Sequence, residues 1–129
     1  YDQGSGDVDS RHNYFYPLHL RPGARTVALS EYGGIAWPMP GHEPPRKTYG
    51  YGTAKTRAEL TERYHKLQRG TVLPQLKNGL SALVYTQVSD VEDEVNGLFT
   101  YDRAAIKPEP AVVRTVNEAL EKAFEEAVK

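Results

Sequence analysis

The chain has 129 residues, one domain's worth, and its 26% charged and 39% hydrophobic content is ordinary for a folded domain rather than a disordered segment. A net charge of -1 gives no electrostatic drive toward nucleic acid or anionic lipid, and the lack of cysteine excludes disulfides, a thiol nucleophile and thiolate metal sites. No apolar run reaches the length of a membrane span, so the expectation is a single domain over 1–129 with no nucleic-acid or membrane partner. No signal peptide is expected within it, and Tyr1 in place of an initiator Met suggests a start inside a longer gene product.

Residues 1–6 are polar and glycine-rich, a frayed start. Asp7-Val8-Asp9-Ser10 begins a short strand that runs into the aromatic cluster Tyr14, Phe15 and Tyr16, after which Pro17 and Pro22-Gly23 enforce a loop. The β-prone run Arg25-Thr26-Val27-Ala28-Leu29 predicts a second strand over 25–30. It delivers Glu31 to a turn floored by Gly33 and Gly34. From Trp37 onward Pro38, Pro40, Pro44 and Pro45 forbid regular structure as far as Tyr51, and irregular stretches of this length tend to be functional. A helix follows, capped at Thr53, with Leu60, Tyr64 and Leu67 at i, i+4 and i+7. Gly70 or Pro74 breaks or kinks it, and Asn78-Gly79 stops it. Residues 80–88 read as a buried strand that empties into the acidic loop Asp90-Val91-Glu92-Asp93-Glu94-Val95-Asn96-Gly97. Pro108 and Pro110 lead a last helix with an apolar stripe from Val112 to Val128, flanked by the pairs Glu118–Lys122 and Glu125–Lys129.

Strands alternating with helices imply parallel pairing with the helices on one face, which brings the loops after Glu31 and Val88 to the same rim. Glu31 has two readings at this point, a solvated turn residue or a carboxylate with room beside it for a ligand. Tyr14, Phe15, Tyr16 and Trp37 are either core or a stacking platform for a ligand. His12, His19, His42 and His65 share no ligand spacing, and the acidic loop has Val95 where a calcium loop needs glycine. No metal and no cofactor are expected.

Three stretches resemble the end of the catalytic domain of glycoside hydrolase family 2, which includes β-galactosidases and β-glucuronidases. They are Ser30-Glu31-Tyr32-Gly33-Gly34, the turn Tyr49-Gly50-Tyr51-Gly52, and residues 79–103. The resemblance implies an α/β fold, the C-terminal portion of a (β/α)8 TIM barrel comprising about its last three βα units. It makes Glu31 the nucleophile of a retaining β-glycosidase. It also places His12, Tyr14, Gln87 and Asp90 around the sugar, where Trp37, as a stacking ring, and Glu92, on a sugar-facing loop, are expected to join them. The family's Trp in the eighth strand is replaced here by Tyr85-Thr86-Gln87.

A retaining glycosidase needs a second carboxyl group roughly 5–5.5 Å from the nucleophile. In the family that acid follows an Asn upstream of the nucleophile, whereas the Asn117-Glu118 pair here lies in the terminal helix. A whole barrel takes about 250 residues, so the expected partners are a β-glycoside, the missing N-terminal barrel portion of the parent chain, and further copies of the chain through its open sheet edges. The isolated chain is expected to be inactive, with Glu43, Glu92 or Glu94 as substitute acids. The alternatives are a noncatalytic carbohydrate-binding remnant and an oligomer-forming interaction module.

Overall fold

The computed structural model describes residues 2–15, 17–21, 23–45 and 47–128. Strands β1 (Val8–Asn13), β2 (Thr26–Gly33) and β3 (Leu80–Thr86) form a parallel sheet in the order β1-β2-β3. Helix α1 (Arg57–Lys66) continues through a π-helical turn (Leu67–Val72) and a 3-10 turn (Leu73–Asn78), and helix α2 (Pro110–Ala127) closes the chain.

This corrects the expectation of a TIM-barrel portion built of three βα units. Among the described residues no helix separates β1 from β2, and an irregular segment follows β3 as far as residue 109. The sheet is open, with β1 and β3 as its edges. A parallel pair needs a crossover of a dozen or more residues, and Pro17 and Pro22 interrupt the short link available between β1 and β2. The described residues of that link cross as irregular chain, with Leu18 buried against the core.

The helical region starts three residues later than expected. Thr56, not Thr53, is the cap: its Oγ1 accepts the Glu59 N–H at 3.1 Å, while Glu59 reaches back to the Lys55 N–H at 2.9 Å. Thr53 instead bridges to Ala36. Gly70 does not end the helix but sits in its π-helical turn, and Pro74 opens the 3-10 turn. The stop comes at Gly79, whose φ of 87° completes a left-handed cap. In α2 the stripe is buried fully only at Val116 and Leu120, and Val128 is exposed at the helix end. Lys122 pairs with Glu126 at 3.9 Å rather than with Glu118, and the Glu125–Lys129 pair lies outside the described residues.

The core lies between one sheet face and the helices, where Leu29 and Tyr32 meet Leu60, Leu67, Val72 and Leu120. Val27 and Leu29 point into it, and strict period-two alternation carries Glu31 to the same side. A bulge prevents this. Arg11 pairs with Leu29 but His12 pairs with Glu31, and on the other edge Leu29 pairs with Leu83 while Tyr32 pairs with Tyr85. Between Leu29 and Tyr32, β2 thus has one residue more than the strand on either side, and such an insertion re-aims the side chains beyond it. Tyr32 returns to the core at 3% exposed, and the Glu31 side chain is left 45% exposed on the other face. This bulge, not the strand's end, presents the carboxylate.

Candidate functional site

Glu31 is held through one oxygen. The Tyr14 hydroxyl donates to Glu31 Oε2 at 2.7 Å, and His12 Nδ1 lies 3.2 Å from the same atom. Thr86 Oγ1 is 3.2 Å from the phenol oxygen. The single phenol proton goes to the carboxylate, so the threonine hydroxyl is placed to donate to the phenol. Burial, together with the negative charge of Glu31, pushes the Tyr14 phenol up to about 12 from its ordinary 10.0.

The sign of that shift gives a prediction. A phenol whose value is raised on folding contributes stability that is complete below pH 10.0 and lost as the pH rises through about 12. The difference between the phenolate absorbance titrations of the wild type and Tyr14→Phe is expected to show one group ionising near 12. A difference curve centred at 10.0 would show that the phenol is not held by Glu31.

Tyr14 is fixed from its other side by Tyr51, whose ring stacks on it at 3.9 Å with 10° between the planes. Phe15 and Tyr49 meet Tyr51 edge-on at 6.0 and 5.5 Å. Gly34 is what lets this stack sit against the strand end. Its φ is 64°, and a Cβ there would lie 2.7 Å from Tyr51 Cδ2 and 2.9 Å from Tyr14 Cδ1. Gly34→Ala is therefore expected to cost about 1–3 kcal/mol in denaturant unfolding, through strained backbone and a displaced stack. The Tyr14 phenol should fall back toward its ordinary value in the same variant. An alanine variant of unchanged stability and titration would contradict this account of the turn.

The opposite wall comes from the segment after β3, where the Thr86–Gln87 peptide is cis. Gln87 Nε2 donates to Asn96 Oδ1 at 2.7 Å and to Glu94 Oε2 at 3.2 Å, and Asn96 Nδ2 donates to the same Glu94 oxygen at 3.2 Å. Beneath this trio is a buried ion pair. Lys107 Nζ, fully buried, donates to Asp90 Oδ1 and to the Val95 carbonyl, both at 2.8 Å, and Asp90 Oδ1 also accepts the Gly97 N–H at 2.8 Å. Burial moves both groups toward neutrality, Asp90 up and Lys107 down, and each partly offsets this for the other. Between the walls lies a cleft of about 620 Å³ that includes Tyr14, Glu31, Tyr51, Gln87 and Glu94.

Of the residues expected around a sugar, Glu31, His12, Tyr14 and Gln87 are brought together. Trp37 is not: it is 7% exposed within the core cluster, and its backbone N–H bonds to the Val95 carbonyl at 2.9 Å. Asp90 is 2% exposed and committed to Lys107, so it braces the loop from beneath. Glu92 is exposed at a turn with φ 52° and is not among the cleft walls. Tyr16, the remaining member of the expected aromatic platform, lies outside the described residues. Glu43 accepts the Gly41 N–H at 2.8 Å, and Asn117 accepts the Tyr64 hydroxyl at 2.8 Å between α1 and α2. Of the three suggested substitute acids, Glu94 alone lines the cleft.

Sequence reasoning missed Thr86, Asn96 and Lys107, and saw Tyr51 only as part of a turn. The glycines beside Tyr51 were the available signal: Gly50 packs against Ala36 so closely that a Cβ would collide with its side chain. Among the described residues no three His, Asp or Glu side chains gather where one metal ion would hold them. No protein-family model matches the chain, and no curated protein matches it.

Proposed function

We propose that Glu31 is the nucleophile of a retaining β-glycoside hydrolase site, with this chain supplying the nucleophile and part of the sugar pocket. The observation that carries this reading is the carboxylate itself, turned out of the core into a cleft and held at 2.7 Å by a neutral phenol. A carboxylate nucleophile must be ionised, fixed in direction and open to the substrate on one side. With Tyr14 and His12 both on Oε2, Oε1 is left for attack. In the first step Glu31 Oε1 forms a bond to the anomeric carbon as the bond from that carbon to the leaving oxygen breaks; water then releases the sugar. The family 2 resemblance of residues 79–103, which contribute Gln87 and Glu94 to the same cleft, supports the reading.

The second carboxyl group has no match in the cleft. Glu94 is bound there by two amide N–H groups, an arrangement suited to accepting a substrate hydroxyl rather than protonating a leaving group. We assign the general acid to a segment outside this chain. The chain alone is thus expected to leave ordinary glycosides intact but to react with those whose leaving group departs without a proton. In 2,4-dinitrophenyl 2-deoxy-2-fluoro-β-glycosides the phenolate leaves unaided, while the fluorine slows release of the bound sugar, so the glycosyl-enzyme accumulates. Intact-mass spectrometry is expected to show one adduct per chain, absent in Glu31→Gln. No adduct on the wild type, or an adduct retained by the variant, contradicts the reading.

A further inference from the structure

Charge, rather than shape, is the sharpest discriminant this cleft offers. Its charged wall residues are Glu31 and Glu94, both carboxylates, and no lysine, arginine or histidine is among the described residues that line it. His12 reaches Glu31 Oε2 from the neighbouring strand, so the one imidazole at the site already faces a carboxylate. Lys107, on the same segment as Glu94, is fully buried and directed at Asp90 and the Val95 carbonyl. The other polar side chains on the walls are uncharged: hydroxyls from three tyrosines, two serines and Thr86, and the amide of Gln87.

Glu94 is also built to receive a ligand. Gln87 and Asn96 both donate to its Oε2, which fixes the carboxylate, and Oε1 accepts no hydrogen bond from a described residue. A sugar hydroxyl satisfies that oxygen by donating to it. A sugar carboxylate does not: it has no proton to give, and it would lie beside the two like charges, Glu31 and Glu94, on the walls this chain supplies.

We propose that the sugar whose anomeric carbon Glu31 attacks is uncharged, that Glu94 binds one of its hydroxyls, and that the pair Glu31 and Glu94 excludes uronic acids. The proposal rests on Glu31 being the nucleophile and adds the substrate class to that reading.

The test uses matched 2,4-dinitrophenyl 2-deoxy-2-fluoro-β-glycosides, each hexoside paired with the uronide that differs from it only at C6, in the gluco, galacto and manno configurations. Labelling rates are followed by intact-mass spectrometry. The neutral member of the most reactive pair is expected to label at least about tenfold faster, the ratio set by ~1.4 kcal/mol of added repulsion. Glu94→Gln keeps the side chain's size and removes its charge. It should narrow the ratio between the two sugars, whereas a merely structural loss slows both alike. A uronide that labels as fast as its neutral partner overturns the substrate class and leaves the nucleophile standing. Equal slowing of both sugars in Glu94→Gln overturns the role of that residue. Failure of every sugar to label overturns the nucleophile reading and this proposal with it.

Discussion

Lys107→Ala lowers the unfolding free energy by about 3–5 kcal/mol, because it leaves a carboxylate buried without its cation. Asp90 is 2% exposed and, among the described residues, would keep only the Gly97 N–H as a side-chain partner once the ammonium is gone. The Val95 carbonyl would lose its side-chain donor in the same step. Burial already moves both ionisable groups toward neutrality, so the intact pair contributes far less to stability than its rupture costs. Asp90→Leu combined with Lys107→Met should therefore recover much of the loss. Denaturant unfolding of the wild type, the single variant and the double variant checks this. If Lys107→Ala costs less than about 1 kcal/mol, water reaches Asp90 and the pair is not the brace described. The effect extends to the cleft, since the Lys107 bonds span the segment that carries Gln87, Glu94 and Asn96.

Glu31→Gln is expected to abolish covalent labelling by activated 2-fluoroglycosides, with a fall of at least about 10⁴-fold in rate, the scale on which removal of a nucleophile acts. The substitution is nearly isosteric, and the side chain is 45% exposed, so the fold should be retained. Tyr14 keeps an oxygen acceptor in the amide, and the stack on Tyr51 does not involve residue 31. What disappears is the negative oxygen proposed to attack carbon. Loss of labelling with unchanged unfolding would separate a chemical role from a structural one, whereas loss of both would mean that Glu31 serves the fold.

The parts of this molecule legible in its sequence are those governed by local chemistry. Prolines marked the irregular stretch from Trp37 to Tyr51, Asn78-Gly79 marked the helix stop, and the β-prone run from Arg25 to Leu29 marked β2, which continues to Gly33 rather than ending at Ser30. That the turn after Glu31 and the segment after β3 share one rim also followed, because parallel strands bring their carboxyl ends together. The orientation of Glu31 did not. Periodicity alone sends it into the core beside Leu29, and the bulge that rescues it is a property of pairing with two other strands. The architecture was misjudged for a related reason. An order of strands and helices suggests βα units, but whether a link such as that between β1 and β2 holds a helix depends on its length and its prolines.

Burial produced the remaining differences. Trp37 and Asp90 have side chains suited to a sugar site, and nothing local distinguishes a stacking ring from a core ring or a solvated acid from a paired one. Lys107 follows Ala104-Ala105-Ile106 and precedes Pro108, an unremarkable solvated lysine by its neighbours. Only the fold places Asp90 within 2.8 Å of it.

Peptide mapping tests most directly the proposed attack by Glu31 Oε1, the oxygen that the described residues Tyr14 and His12 leave open. After labelling with an activated 2-deoxy-2-fluoro-β-glycoside, proteolysis and tandem mass spectrometry are expected to locate the sugar on the Glu31 side chain, bonded as an ester. A sugar found on Glu94 or another residue, or an unmodified peptide under conditions that saturate labelling, would contradict it.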